Sequence, residues 1–338
     1  MPGMMLRLLL LGLAVFAPHS AFASEIATAS RSFTDETRTI KASMGFAGSD
    51  IRRIDVRIWH PSDPPARRLP LIVYSHGTFG SADNAMHIVR SLVDAGYIVA
   101  APDYPLTSRA AFTKVRFADI SDVAQQVADL SFVIDSILVD PVVGPMIDPL
   151  AIGTTGHSLG GVTSYFASFG QQVRDPRIVA TAPIGAGDPV QSALSSEMGL
   201  AGTRHAEVSV PVLFVSAQHD LFARTTGRPY AAYARVEGPK YELMIDGGTH
   251  VWFRDGLERH PDGKNPDCLF FERNMPGTAM PGCEVPVTLI DPEEQQRMTR
   301  IALVTFFDAY LKKDAAALRS LTNLGARLAG ASFVHQVR

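Results

Sequence analysis

Cysteine is almost absent from this chain: 338 residues contain two, Cys268 and Cys283. That excludes a disulfide-dense scaffold, and the pair lacks the CxxC spacing of a metal site. Charge is sparse as well. Asp, Glu, Lys and Arg make up 19% of the residues and nearly cancel, for a formal net charge of −3. Such a balance excludes the basic footprint of a nucleic-acid binder. Internal repeats and low-complexity tracts are missing. So is any apolar run long enough to cross a bilayer comfortably. What remains is an ordinary globular composition, 46% hydrophobic, sized for one large α/β domain or two small ones.

One short apolar run stands at the N-terminus. Arg7 precedes Leu8–Ala17, and Ala21 and Ala23 occupy the small-residue positions of a cleavage site. This layout predicts a secretory signal peptide over residues 1–23 and a secreted or periplasmic domain over 24–338. No cysteine sits at the cleavage point to make a lipoprotein. Export would put Cys268 and Cys283 in an oxidising compartment, where a disulfide is expected. Closing a loop of about 15 residues is worth ~3 kcal/mol on the chain-entropy model.

Beyond residue 24 the chain alternates apolar strands with amphipathic helices. The strand candidates are "IDVRIWHP" (54–61), "LPLIVYSHG" (69–77), "AGYIVAAPDY" (95–104) and "LAIGTTGHS" (150–158), then "RIVATAPIGAG", "VPVLFVSAQHD" and "KYELMIDGGTH". Several are apolar on both faces, as in a parallel sheet covered on both sides. Val123, Val127, Leu130, Ile134 and Ile137 form one helical stripe. A long helix opens at Asp291, with Pro292 at its first position and Glu294 where a capping-box acid belongs. The expected fold class is α/β: one domain with a doubly wound, mostly parallel sheet and helices on both faces.

"GHSLGG" (156–161) raises the functional question. G-x-S-x-G is a short pattern, and its context gives it weight: an apolar strand precedes it and a helix follows. A sharp strand-to-helix turn strains the serine and requires neighbours without bulk, which Gly156 and Gly160 provide. The turn lifts the Ser158 hydroxyl to a helix N-terminus, where developing negative charge is favoured. A hydroxyl needs a base. Of the downstream histidines 205, 219, 250, 260 and 335, His250 ends the last apolar strand in a Gly-rich loop. Asp220 ends the preceding strand and is chosen as the acid over Asp246 and Glu197. The oxyanion donors would be the backbone N–H groups of Leu159 and Thr78, with Phe79 the alternative to Thr78.

With these residues assigned, the chain resembles the α/β-hydrolases. More narrowly it is similar to dienelactone hydrolase-like proteins and platelet-activating-factor acetylhydrolases. The matching elements are "VRIWHPS", "PLIVYSHG", "LVDAGYIVAAPDYP", "RFADISDVAQQVADLSFVIDSI", "GHSLGG", "SAQHD" and "GGTH", spanning residues 51–253. The resemblance implies a serine hydrolase with Ser158, Asp220 and His250 as its triad, and with neither cofactor nor metal. Dienelactone hydrolases proper carry cysteine as nucleophile. The serine here points to an ordinary ester, and the cysteine-bearing segment after His250 departs from the group.

The expected reaction is hydrolysis of a small-molecule ester or lipid through an acyl-enzyme on Ser158. The alternatives are phospholipid or polyester acyl hydrolysis, acyl transfer, or a non-catalytic binding protein on this fold. Phe79, Phe112 and Trp252 are candidate pocket walls, and the insertions at 104–117 and 188–207 are candidate covers. Arg109, Lys114 and Arg116 read as a solvated face that could also attract an anion.

Overall fold

The computed structural model describes residues 25–43, 45–111, 119–190, 196–200, 202–222, 230–274, 277 and 280–337. The signal-peptide expectation for 1–23, and Phe112, Lys114 and Arg116, lie outside the described residues. The strands are β1 (Ile26–Asp35), β2 (Arg52–Pro61), β3 (Leu69–Ser75), β4 (Ile98–Asp103), β5 (Ile147–His157), β6 (Ile178–Ile184), β7 (Val212–Ala217), β8 (Lys240–Ile245) and β9 (Ala331–Gln336). They form one sheet in the order β1-β2-β4-β3-β5-β6-β7-β8-β9. β3 to β8 run parallel, while β1 and β2 on one side and β9 on the other join antiparallel, with β1 and β9 at the edges.

The sequence of β3 explains the layering. Alternate residues point to opposite faces of a strand. Leu71 and Val73 enter a core beneath the helices Val123–Leu138 and Leu159–Phe169. Ile72 and Tyr74 enter a second core beneath the helices Met86–Asp94 and Pro292–Tyr310. A strand apolar on both faces therefore needs helices on both sides. The stripe of Val123, Val127, Leu130, Ile134 and Ile137 is fully buried.

Asp291 caps the last long helix, accepting the Glu293 N–H at 2.9 Å, with Pro292 behind it. The capping-box expectation for Glu294 needs correction. Its carboxylate pairs with Arg297 at 2.6 Å, one turn on, instead of reaching back to the cap. Two strands escaped the sequence reading. β1 alternates half-buried and exposed residues along an edge, and β9 comes from the chain's last residues, opposite β8. Both have weak apolar patterns because only one side of each is paired.

Parallel strands end at one edge of the sheet, where ligands bind in open α/β folds. Five connections meet there: the loop after β3 (76–80), Ser158 after β5, Gly185 after β6, Asp220 after β7 and His250 after β8.

Candidate active site

Ser158 stands between β5 and the helix Leu159–Phe169 with φ 56° and ψ −120°. A side chain rarely adopts this conformation, and holding it costs on the order of 1–3 kcal/mol. The surroundings enforce it. A Cβ on Gly156 would lie 2.5 Å from the Gly160 carbonyl oxygen, and one on Gly160 would overlap the Ser75 carbonyl. The Ser158 N–H donates to the Ile184 carbonyl at 2.8 Å, tying the turn to β6.

His250 and Asp220 come together as the sequence order suggested. The His250 Nδ1–H donates to Asp220 Oδ2 at 2.8 Å, and both residues are buried. A carboxylate only accepts, so this contact fixes the proton on Nδ1 and leaves Nε2 as the basic nitrogen. The imidazole stacks on Phe222 at 4.3 Å and meets the His157 ring at 4.4 Å. Burial, then the nearby His250, pushes the His157 pKa down, which keeps that neighbour neutral. His157 Nε2 donates to the His250 carbonyl at 3.1 Å. Gln295 grips the preceding residue twice: its Oε1 accepts the Thr249 N–H at 3.0 Å and its Nε2 donates to the Thr249 carbonyl at 2.7 Å.

The loop after β3 lies against the serine. A Cβ on Gly77 would sit 3.1 Å from the Ser158 Cβ. His76 holds this loop: its Nδ1 donates to the Gly77 carbonyl at 2.8 Å and its Nε2 accepts the Tyr104 N–H at 3.1 Å. Both contacts suit a neutral ring, and burial lowers the His76 pKa accordingly. Between the two oxyanion candidates the backbone discriminates. The Phe79 N–H is already given to the Thr107 carbonyl at 2.9 Å, whereas the Thr78 N–H meets no backbone acceptor among the described residues. Leu159 opens its helix, so its N–H has no acceptor within it.

A cavity of about 200 Å³ joins these parts. Its lining includes Thr78, Ser158 and His250, with Phe79, Phe222, Phe270 and Phe271 as apolar walls. Arg254 brings a cation to the lining. Among the described residues no cluster of three or more His, Cys, Asp or Glu side chains could hold a metal ion.

No family model matches this chain. A curated relative, Lipase 1 of Moraxella sp. (strain TA144), is 28% identical over 130 residues, covering 38% of this chain and 35% of the lipase. The match thus spans about a third of the relative's length. A solved ferulic acid esterase from Streptomyces cinnamoneus aligns with a TM-score of 0.64 at 19% identity, covering 95% of this chain and 98% of the esterase. The chain has the α/β-hydrolase fold.

On this hydrolase fold, one feature of the site differs from the sequence expectation. Trp252 is no pocket wall. It is fully buried in the turn Val251–Phe253, donates its indole N–H to the Glu258 carbonyl at 3.0 Å and carries Arg259 over its ring. One face of that turn, Val251 and Arg254, meets the cavity, and Trp252 points the other way. The described parts of the insertions 104–117 and 188–207 do not line the cavity either; the segment closed by the Cys268–Cys283 disulfide does, through Phe270 and Phe271. Arg109 is exposed.

Gly185 was missed as a site residue. Its φ is +56°, and a Cβ there would lie 3.2 Å from His250 Nδ1 and 3.3 Å from Asp220 Oδ2. Glycine at this point makes room for the histidine–aspartate pair. Its signal was a glycine directly after an apolar strand, a position common to many turns.

Proposed function

We propose that the protein is a serine hydrolase of carboxylic esters. Ser158 is the nucleophile, His250 the general base, Asp220 the group that orients it, and Thr78 and Leu159 the backbone oxyanion donors. One observation carries this reading: a serine held at φ 56° on a helix N-terminus shares a cavity with a histidine whose Nδ1 lies 2.8 Å from a buried aspartate. The names of the two similar proteins, a lipase and a ferulic acid esterase, agree with it.

In this mechanism His250 Nε2 takes the Ser158 proton as the hydroxyl attacks the ester carbonyl. The oxyanion forms beside the Thr78 and Leu159 N–H groups, each worth 10²–10³ in rate by precedent. Asp220 stabilises the imidazolium, which then protonates the leaving alcohol. Water, activated in the same way, releases the acid.

The lining of the cavity favours an apolar group. The cavity of about 200 Å³ is walled by Phe79, Phe222, Phe270 and Phe271. That suits a short acyl chain or a single aromatic ring among phenylalanines better than a palmitoyl chain. Export is part of the proposal. The N-terminal pattern supports it, and a Cys268–Cys283 disulfide belongs to an oxidising compartment. No helix among the described residues is long and apolar enough to cross a membrane.

Hydrolysis of p-nitrophenyl esters from acetate to palmitate, with Ser158→Ala in parallel, tests the reading. Turnover is expected on the short esters and on benzoate, falling steeply toward palmitate and disappearing in the variant. An active Ser158→Ala variant would sink it. Products that shift to new esters when alcohol is added would make the protein an acyltransferase.

A further inference from the structure

Near the His250–Asp220 pair lies a second buried carboxylate, Asp267, at the start of the helix Asp267–Asn274. Its oxygens accept three backbone N–H groups. Oδ2 takes those of Leu221 at 3.1 Å and His250 at 3.2 Å, and Oδ1 takes that of Val251 at 2.9 Å. Leu221 directly follows Asp220. One side chain therefore ties the backbone carrying the acid to the backbone carrying the base.

The anchor is itself anchored. The Asp267 N–H donates to Asn265 Oδ1 at 2.9 Å, and Asn265 Nδ2 donates to the carbonyl of His219, on the other side of Asp220. The next residue, Cys268, is fully buried and bonded to Cys283. Leu221, Cys268 and Phe271 share a small apolar cluster.

Resting on the hydrolase reading above, we infer that Asp267 is a positioning residue: its carboxylate holds the Asp220 and His250 loops in register and adds a second negative charge beside the imidazole. A buried carboxylate is costly unless its oxygens are bonded. Here the bonds all go to the two loops whose relative position decides the reaction. Positional errors of about 1 Å can cost 10²-fold in rate.

Among the described residues, the charged groups that act on Asp267 are Asp220, His250 and Arg254. Burial, then repulsion from Asp220, raises the Asp267 pKa to about 6, with His250 and the Leu221 and Val251 N–H groups opposing the rise. At neutral pH the carboxylate is mostly ionised, and below about pH 6 its charge is lost.

Asp267→Asn keeps the shape but replaces one accepting oxygen with a donor, so at least one of the three N–H groups loses its acceptor. The variant is compared on a short p-nitrophenyl ester with wild type, Ser158→Ala and Glu272→Gln, an exposed change on the same helix. The expected result is a kcat lower by roughly 100-fold with KM within about twofold, and loss of one ionisation from the acid limb of the pH profile. Glu272→Gln should match wild type. An Asp267→Asn variant with wild-type kcat and pH profile, beside an inactive Ser158→Ala, overturns this inference alone. An active Ser158→Ala overturns the hydrolase reading and this inference with it. If Asp267→Asn fails to fold, judged by near-ultraviolet circular dichroism, Asn265→Ala decides, since it frees the Asp267 N–H and the His219 carbonyl without touching the cavity. A folded Asn265→Ala variant with kcat lowered at least tenfold and KM within about twofold supports the role, and wild-type kcat overturns it.

Discussion

The serine turn and the disulfide-closed segment face the same cavity, yet they are built in opposite ways. The turn is local. Within Gly156–Gly160 the backbone is so crowded that two positions admit only glycine, and the serine between them is strained. The segment around Cys268 and Cys283 is a long-range construction. Its helix Asp267–Asn274 is short, and a disulfide, the Asp267 hydrogen bonds and a small apolar cluster hold it against the β7 and β8 loops. Crowded backbone restricts residue type and so writes itself into sequence. Phenylalanine and aspartate are common everywhere, and their role depends on what the tertiary structure sets beside them.

The sharpest way to break the contrast is Gly160→Ala. Adding one methyl group at a point already occupied by the Ser75 carbonyl should displace the whole turn. Activity is expected to fall by ~10⁴ or more, as when a triad member is removed, and expression of folded protein should drop. Soluble yield and ester turnover check this together. A fully active alanine variant would mean the turn is far more forgiving than its geometry indicates.

Removing the disulfide probes the other side. Replacing Cys268 and Cys283 by serine opens a crosslink of sequence separation 15. About 3 kcal/mol of stability should be lost on the chain-entropy model. Thermal melts with and without reductant measure it. KM should rise, because Phe270 and Phe271 line the cavity from this segment. An unchanged KM beside a lowered Tm would confine the disulfide to a structural role.

The smallest effect sharpens the comparison most. Ser158→Gly removes the strained side chain without losing a helix cap, since the serine side chain makes no capping bond. Relief of strain, less the entropy cost of glycine, should raise stability by ~1 kcal/mol while abolishing turnover. Chemical denaturation reads this directly. A destabilised glycine variant would argue that the strain is not stored at residue 158.

The seven strands β2 to β8 could be read from the sequence because each is apolar enough to be buried, and the helix Val123–Leu138 because its stripe repeats every three or four residues. The strained turn at Ser158 was legible through its glycines, and the meeting of Asp220 with His250 through their places after two strands. The edge strands β1 and β9 were not legible, since half-exposed residues leave little pattern. Trp252 misled because an aromatic residue two positions from His250 can face either way along a turn, and a backbone carbonyl at Glu258 drew its N–H into the interior.

The chain alone thus determined the layers of the sheet, the strained serine turn and the places of Ser158, Asp220 and His250 after their strands, because burial and backbone sterics act through residue type and spacing. Only the tertiary structure decided that Gly185 clears space for the His250–Asp220 pair, that Gln295 and His157 hold the histidine loop, and that Asp267, Phe270 and Phe271 arrive from a distant segment. These are contacts between parts far apart in sequence. No local conformational rule constrains such residues, so their meaning appears only when the fold brings them together.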